Sequence, residues 1–293
     1  MRSGLAKFVS DQAEGLRRLL ARHGSRAIAL TGGTAGVGCS TTVVNLAAAL
    51  AAQGKDVLVV DEHAGQPHAI VARPDGAAAE RFVAFTRGEM SLDAATDRHS
   101  AGFAVLAAPR SHRDMCKPSQ LAAVFDSTAD VVLIDVQFER DGMLSDLALQ
   151  AHDLMMVTRV AAQAITDTYA CMKRLHYAYA IAQFRVLVNH VHSVADAQLA
   201  LDNLAAVAGR YLTVSLEGAG CVAADPLMTR SAELSRCIVE AFPSTPAARD
   251  FRHLAAELQY WPMRPAMSSR APWSASAAVT TASHAEQPSA QHA

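Results

Sequence analysis

The sequence predicts an α/β fold in which a mostly parallel, twisted sheet carries helices on both faces. Between about residues 26 and 258, short β-branched apolar runs alternate with Ala- and Leu-rich helical stretches, the order typical of βαβ units. The runs are continuously apolar, as expected for strands that are covered on both faces. A glycine-rich turn joins the first run to the first helical stretch. We predict seven strands, at residues 27–31, 57–61, 103–108, 131–135, 154–158, 185–190 and 212–216.

Length, composition and charge restrict the class of protein. A chain of 293 residues is long enough for one large α/β domain or two small ones. Its net charge of −2 gives no general attraction to nucleic acid, and no basic patch with interleaved aromatic residues is present. No apolar run reaches the roughly 18 residues of a membrane span, and the N-terminus lacks the apolar core of a signal peptide. We therefore expect a cytoplasmic protein without nucleic-acid binding and with peripheral membrane contact at most.

The cysteines and histidines predict neither disulfides nor a histidine-based metal site. The twelve histidines are scattered without the spacing of metal ligands. The five cysteines lie far apart and form no CxxC pair, which is typical of free thiols in a reducing cytoplasm. They are Cys39, Cys116, Cys171, Cys221 and Cys237.

Three segments divide the chain. Residues 1–24 have a helical pattern with apolar side chains on one side and a glycine at its end. Residues 25–261 contain the predicted α/β domain. Residues 262–293 are rich in Ala, Ser, Thr, Pro and His, and they offer too little apolar surface to order themselves. We predict an N-terminal helix, one domain and a disordered tail.

The first predicted strand leads into a glycine-rich loop, TGGTAGVGCSTT at residues 31–42, and then into a helix. This is the context of a phosphate cradle, because small residues let backbone N–H groups approach an anion at a helix N-terminus. Gly33 and Gly38 match the GxxxxG spacing, and Ser40 falls at the position of a Mg²⁺-binding hydroxyl, but Cys39 replaces the usual lysine. The spacing alone predicts a defective phosphate loop; a glycine-rich turn that binds nothing is the alternative.

The loop, the following Asn45-Leu-Ala-Ala-Ala-Leu and the segment GKDVLVVDEH at residues 54–63 resemble the MinD/ParA family of P-loop proteins. In this alignment Thr34 occupies the position of the signature lysine that reaches across a dimer. Cys39 occupies that of the phosphate-loop lysine. The resemblance implies ATP or ADP with Mg²⁺ as ligands, and a nucleotide-dependent homodimer.

Later segments extend the resemblance over roughly residues 26–258. Asp61 matches the first aspartate of the family's Asp-x-Asp, while His63 replaces the second, which is associated with hydrolysis. The run ADVVLID at residues 129–135 resembles Walker B and places Asp135 at the Mg²⁺-linked carboxylate. Asn189 matches the family's adenine-contacting asparagine. The resemblance thus implies Mg²⁺ contacts from Ser40, Asp61 and Asp135, and nucleotide contacts from Asn189 and the loop residues Gly33, Thr34, Ala35, Gly36, Val37, Gly38, Cys39, Ser40 and Thr41.

Three departures from the family pattern determine the expected activity. Neither Thr34 nor Cys39 supplies the fixed positive charge that is usually a major contribution to phosphoryl transfer, and His63 stands at an aspartate position. We therefore expect slow or absent ATP hydrolysis with weak nucleotide binding, and we assign no catalytic residue to this site.

Cys39 itself allows two interpretations. A thiol at a helix N-terminus can have a lowered pKa and serve as a redox switch. Alternatively, cysteine is a small residue that fits where a lysine has been lost. The second interpretation is favoured, because a lone cysteine carries little information.

A second motif, DQAEGLR, occupies residues 11–17 of the N-terminal helical pattern. Helical spacing places Gln12 in an apolar stripe with Phe8 and Leu16, and Gly15 costs such a helix about 1 kcal/mol relative to alanine. The pattern fits a marginal helix that orders on a partner and presents one amide to it. It fits equally well a helix that packs on its own domain with Gln12 at the edge of the contact.

This motif resembles the activator motif of the FlhG/FleN family of flagellar-number regulators. In that family the helix docks on FlhF, a GTPase related to the signal-recognition particle, and the glutamine at the position of Gln12 helps to position the attacking water. A neutral amide can orient water against a γ-phosphate. The resemblance implies a regulator of flagellar number and placement that acts in trans through Gln12. It also implies a place at the cell pole or the inner face of the plasma membrane, with a flagellar transcription regulator or a basal-body component as a further partner.

Two other functions stay open at the level of sequence. One is an active MinD/ParA-type ATPase switch that forms an ATP-dependent dimer. The other is a MinD-like helper in envelope-polysaccharide or chromosome positioning. The stretch at residues 251–261 has apolar residues at helical spacing, which either pack as a last helix or contact a membrane; nearby arginines are too sparse for strong attraction to anionic lipid.

Overall fold

The computed structural model describes residues 25–64, 76–139 and 141–269. Within these residues the strands are β1 (Arg26–Gly32), β2 (Val57–Asp61), β3 (Asp97–Arg98), β4 (Ala104–Ala107), β5 (Val131–Asp135), β6 (Asp153–Arg159), β7 (Gln183–Val191) and β8 (Ser215–Ala223). They form one sheet in the order β3–β4–β2–β5–β1–β6–β7–β8. Every pairing is parallel except β3–β4. The predicted α/β fold with a mostly parallel sheet is confirmed.

Helices cover both faces of this sheet. The described α-helices are α1 (Cys39–Ala52), α2 (Gly76–Thr86), α3 (Leu92–Ala95), α4 (Arg110–Arg113), α5 (Pro118–Leu121), α6 (Ala162–Tyr179), α7 (Val194–Leu212), α8 (Leu227–Glu233), α9 (Ile238–Ala241) and α10 (Pro246–Leu258). One apolar core lies between the sheet and α2, α6 and α7, and the other lies beneath α1 and α10. In β1, Ala27 and Ala29 enter the first core, while Ile28 and Leu30 enter the second. This alternation follows from the two-residue period of a strand.

Most predicted strands lie within one or two residues of the observed ones, but the last is misplaced. The prediction at residues 212–216 begins on the last residue of α7 and shares only two residues with β8, which runs from Ser215 to Ala223. The strand is an edge strand that contains Glu217, Gly218 and Gly220 and is only partly buried. It therefore lacks the apolar run that identified the central strands. The two-residue β3 was too short and too polar to be predicted.

The last described α-helix packs against the domain. Phe251, Leu254 and Leu258 of α10 are buried with residues of α1 in the second core. The Thr245 side chain accepts a hydrogen bond from the Ala248 N–H at the start of this helix. The apolar stripe at residues 251–261 is thus a packing face, the first of the two alternatives. Among the described helices, none has the length and apolar character needed to cross a membrane.

The packed domain continues past the predicted boundary at residue 261. Met267 is buried, and its N–H donates to the Ala151 carbonyl at 2.9 Å. Arg264 donates to Asp153 at 3.1 Å. The predicted tail therefore begins too early, because two specific side chains attach residues 262–269 to the sheet despite their composition. The predicted N-terminal helix at residues 1–24 and the rest of the tail lie outside the described residues.

A buried ion cluster joins the amino ends of the central strands. Asp153, the first residue of β6, is buried and accepts hydrogen bonds from three arginines. The distances are 3.3 Å from Arg26 Nη1 to Oδ2, 3.1 Å from Arg185 Nε to Oδ1 and 3.1 Å from Arg264 Nη1 to Oδ1. The Arg185 guanidinium also lies 3.9 Å from the centre of the Trp261 ring. One carboxylate thus connects β1, β6, β7 and the C-terminal segment, residues 262–269.

Replacing Asp153 with alanine is expected to destabilise the protein strongly. The change leaves buried guanidinium groups without the carboxylate that joins them, and breaking a buried ion pair costs about 3–5 kcal/mol. The measurement is the free energy of unfolding in denaturant. Asp202→Ala on the exposed side of α7 is the control, with an expected change within about 0.5 kcal/mol. An equally small change for Asp153→Ala would contradict the assigned role of this cluster.

Candidate functional site

The glycine-rich loop lies at the carboxyl edge of the sheet, where β1 ends between β5 and β6. The helix α1 begins at Cys39 directly after Gly38, and no side chain caps its N-terminus. Its first N–H groups are therefore left for an external acceptor. The loop opens into a cleft of about 700 Å³. All nine predicted loop residues line this cleft: Gly33, Thr34, Ala35, Gly36, Val37, Gly38, Cys39, Ser40 and Thr41.

Two glycines allow the loop to pass close to its neighbours. A Cβ atom at Gly33 would lie 2.5 Å from the backbone N and Cα of Thr168 in α6. At Gly38, φ is +92°, and a Cβ atom would lie 2.4 Å from Asn189 Nδ2 in β7. Glycine is required at Gly33 by the close approach and at Gly38 also by the left-handed backbone. The loop is thus held between α6 and β7.

Asp135 ends β5 beside the start of α1. Its carboxylate is fully buried. The Ser40 hydroxyl and the Cys39 thiol lie next to it, yet neither carboxylate oxygen has a hydrogen bond of ordinary geometry with any described residue. Burial raises the pKa of Asp135 to about 6, and the Ser40 hydroxyl and the His63 ring oppose this rise. A buried carboxylate without a partner is unusual, and a Mg²⁺ ion or its water shell is a partner that suits it.

The same carboxylate determines the chemistry of Cys39. Burial raises the pKa of the Cys39 thiol well above its usual value, and the charge of Asp135 and its interaction with the thiol raise it further. These effects outweigh the lowering that a helix N-terminus provides. The structure therefore favours Cys39 as a small residue that fits the site over Cys39 as a reactive thiolate.

Asp61 and His63 follow on the other side of Asp135. Asp61 ends β2 and is level with Asp135 in the neighbouring β5. The backbone N–H of His63 donates to Asp61 Oδ1 at 3.0 Å. The ring Nε2 of His63 lies 3.1 Å from the Val136 carbonyl, and because a carbonyl oxygen only accepts, Nε2 carries the proton. The structure thus brings the two predicted Mg²⁺ carboxylates and the substituted histidine together at one edge.

Glu62, between these two residues, was not predicted as important. Its side chain is fully buried, accepts from Ser145 Oγ at 2.5 Å and from the Gln137 N–H at 3.0 Å, and lies 3.5 Å from Arg113 Nε. Burial raises the pKa of Glu62 to about 6, against the lowering by Arg113. Glu62 therefore ties the end of β2 to the segment after β5. A charged residue flanked by two site residues was the available sequence signal.

Two asparagines brace the loop and its helix. Asn189 Nδ2 donates to the Val37 carbonyl at 2.8 Å. Asn45 Nδ2 donates to the Thr41 carbonyl at 2.9 Å, and Asn45 Oδ1 accepts from the Ile238 N–H at 2.8 Å. Asn189 thus lies next to the phosphate loop, and its contact with adenine stays a prediction.

Two arginines that were not predicted from the sequence as site residues also line the cleft. Arg159 ends β6, and Arg174 lies on α6 with its guanidinium 5.3 Å from the centre of the Phe138 ring. Within the described residues neither side chain has an ion pair with a carboxylate, and the buried Nε of Arg159 has no hydrogen-bond partner. Ligands of parallel sheets bind beyond the carboxyl ends of the strands. A survey of charged residues at those ends would have found Arg159.

The fold and this loop define a nucleotide-binding class of protein. A family model described as the CobQ/CobB/MinD/ParA nucleotide binding domain matches residues 28–225. The chain belongs to this family.

Individual relatives agree with this assignment. The antiactivator FleN of Pseudomonas aeruginosa is 27% identical over 257 residues, which cover 85% of this chain and 91% of FleN. Among solved structures, a ParA family ATPase from Chlorobium tepidum has a TM-score of 0.61 at 16% identity and covers 80% of this chain and 99% of its own. MinD of Pyrococcus horikoshii, solved with Mg-ADP, has a TM-score of 0.59 at 20% identity. The match covers 80% of this chain and 96% of the MinD chain. These two structures support the fold.

The residues present fit a Mg²⁺–nucleotide in two respects and depart in a third. The glycine cradle at an uncapped helix N-terminus fits phosphate oxygens. The unpartnered, buried Asp135 next to Ser40 fits a Mg²⁺ ion or its waters. The loop itself, however, carries no positive side chain at Thr34 or Cys39.

Gly33→Ala is expected to destabilise the protein by about 1–3 kcal/mol, the range for overpacking a close contact. Its Cβ atom would meet the backbone of α6, which cannot move aside as a flexible side chain can. The matched control is Gly209→Ala in α7, where a Cβ atom has ordinary space and alanine favours the helix by up to about 1 kcal/mol. Denaturant unfolding of both variants checks that the free energy of unfolding falls in Gly33→Ala and does not fall in Gly209→Ala. Equal effects would show that the contact with α6 does not constrain the loop.

Alkylation of Cys39 at pH 8 is expected to be slower than that of a free model thiol, because its raised pKa leaves little thiolate. Iodoacetamide labelling followed by peptide mapping reports on Cys39 separately from the other four cysteines. N-acetylcysteine amide in the same reaction gives the reference rate. A Cys39 rate above this reference would revive the redox-switch hypothesis.

Proposed function

We propose that this chain is a regulator of flagellar number and placement. In this proposal it is a MinD-like adaptor that stimulates an FlhF-type, signal-recognition-particle-like GTPase through its N-terminal segment. Its own site binds ATP or ADP with Mg²⁺ weakly and hydrolyses ATP slowly. The observation that carries the proposal is a nucleotide cradle that keeps its backbone and carboxylates but lacks loop cations, in a chain whose N-terminal motif is complete.

The similarity to FleN supports the flagellar part of the proposal. It extends over 85% of this chain, beyond the residues that match the family model. The resemblance of residues 11–17 to an activator motif adds a second indication. We further propose that the protein acts on the cytoplasmic side of the membrane near the cell pole, with a flagellar transcription regulator or basal-body component among its partners.

The geometry supports a proposed part for each site residue in nucleotide binding. The N–H groups of the loop and of the first turn of α1 would hold phosphate oxygens. Ser40 and Asp135, with Asp61 nearby, would hold Mg²⁺, which when bound neutralises charge on the phosphates. Asn189 keeps the loop in place through Val37. Thr34 and Cys39 carry no charge for the transferring phosphate, so slow hydrolysis is the expected consequence.

The direct test is GTP turnover by a purified FlhF-type GTPase with this chain added. Wild type is expected to accelerate turnover. Gln12→Ala is expected to reduce this stimulation at least about tenfold, because the amide that orients water is removed. Gln198→Ala is the matched control, since Gln198 is an exposed helical glutamine on α7. It is expected to behave as wild type.

ATP turnover by this chain alone is measured in parallel. Negligible ATP turnover together with Gln12-dependent GTPase stimulation supports the adaptor. Efficient ATP hydrolysis with an indifferent partner would contradict it and favour the alternative, an ATP-dependent dimeric switch. Motility that survives removal of residues 1–24 would instead favour a role in envelope or chromosome positioning.

A further inference from the structure

The phosphate loop lacks both lysine charges, but the cleft into which it opens does not lack cations. We propose that Arg159 takes the place of the missing loop lysines and binds the phosphate chain of a nucleoside di- or triphosphate in this cleft. The inference rests on the nucleotide-binding part of the proposed function. It does not depend on stimulation of a partner GTPase.

The register of the sheet places Arg159 beside the loop. Gly32, the last residue of β1, is level with Val157 in β6, and Arg159 lies two residues further along. Because strand side chains alternate with a period of two, Arg159 and Val157 point to the same face. Val157 belongs to the core beneath α1, which is the face on which the loop turns into α1.

The next strand gives an independent position for the same side chain. Arg159 is level with Asn189 of β7, and in-register residues of parallel strands point to the same face of the sheet. Asn189 reaches the loop, with Nδ2 at 2.8 Å from the Val37 carbonyl. Arg159 therefore lies between the start of the loop on one side and a residue that touches the loop on the other.

Among the described residues, Arg159 has no partner for its charge. Its Nε is buried without a hydrogen bond, and its guanidinium has no ion pair with any carboxylate of residues 25–64, 76–139 and 141–269. The buried arginines of this part of the chain behave differently, since Arg26, Arg113 and Arg185 each pair with a carboxylate. A half-buried guanidinium that faces a cleft without a partner is suited to an anionic ligand, and its planar fork matches two phosphate oxygens.

The charge balance of the site also favours such a group. Asp61 and Asp135 are both fully buried at this edge of the sheet, and they oppose the entry of a polyphosphate. Backbone N–H groups offset this only in part. Neither Thr34 nor Cys39 contributes positive charge, so Arg159 and Arg174 supply the cationic side chains of the cleft.

Arg174 is the weaker candidate for direct phosphate binding. Its side chain is exposed, and its guanidinium already lies over Phe138 and donates to Cys171 Sγ at 3.6 Å. A change at Arg174 therefore tests whether any positive charge in the cleft suffices or whether the position of Arg159 is needed.

The first experiment measures dissociation constants for ADP and ATP, each with Mg²⁺, by titration calorimetry on the full chain. Arg159→Met is expected to weaken binding by about tenfold or more, the effect of losing a charge-assisted hydrogen bond. Arg159→Lys is expected to retain part of the affinity, and Arg174→Met to lose less than Arg159→Met. Arg210→Met, a change of an exposed arginine on α7, is the control. Thermal unfolding of each variant confirms that it is folded.

The second experiment restores the loop lysine. If Arg159 replaces that lysine, Cys39→Lys raises nucleotide affinity more in the Arg159→Met background than in wild type. An equal effect of Cys39→Lys in the two backgrounds, zero included, would show that Arg159 does not take the lysine's place.

Other results also overturn the inference. These are unchanged affinity in Arg159→Met, a larger loss in Arg174→Met than in Arg159→Met, or no binding of ADP or ATP by wild type. The last result refutes the nucleotide site itself, whereas stimulation of the partner GTPase is measured separately and decides the adaptor role on its own.

Discussion

The position of β1 between β5 and β6 is the constraint on which the site depends. A parallel sheet that is buried on both faces brings the carboxyl ends of its strands to one edge. The phosphate loop leaves from the middle of that edge, and the ends of β2, β5, β6 and β7 surround it. Asp61, Asp135, Arg159 and Asn189 each end or nearly end one of these strands. Four segments far apart in the chain therefore meet at one loop.

Close packing holds the backbone of this loop in place independently of the charge of its side chains. Gly33 lies against the backbone of α6, and Asn189 holds the carbonyl of Val37 from β7. Within α1, Asn45 binds both its own helix and α9. These contacts use glycine and neutral amides, so they persist when the loop lysines are replaced. The physical result is a cradle of family-like form with altered charge, so the fold by itself does not predict hydrolytic activity.

Buried ion pairs join segments of the chain at both edges of the sheet. At the amino edge, Asp153 collects three arginines and attaches the C-terminal segment. At the carboxyl edge, Glu62 and Arg113 join the ends of β2 and β5, close to the predicted Mg²⁺ carboxylates. Such pairs add little net stability over apolar packing, but removing one partner is costly. The second pair therefore fixes the segments that carry Asp61 and His63.

The sequence by itself determined the fold class, the central strands and the loop. Continuous apolar runs and the spacing of Gly33, Gly38 and Ser40 are local patterns. Such patterns can be recognised without knowing which residues lie close in the folded protein. The edge strand β8 and the attachment of Met267 were decided by tertiary structure, because partial burial and single long-range contacts leave no periodic trace. The same holds for Arg159 and for the pKa of Cys39. A charge partner or its absence, and the burial that shifts a pKa, depend on residues that are distant in sequence and adjacent only after folding.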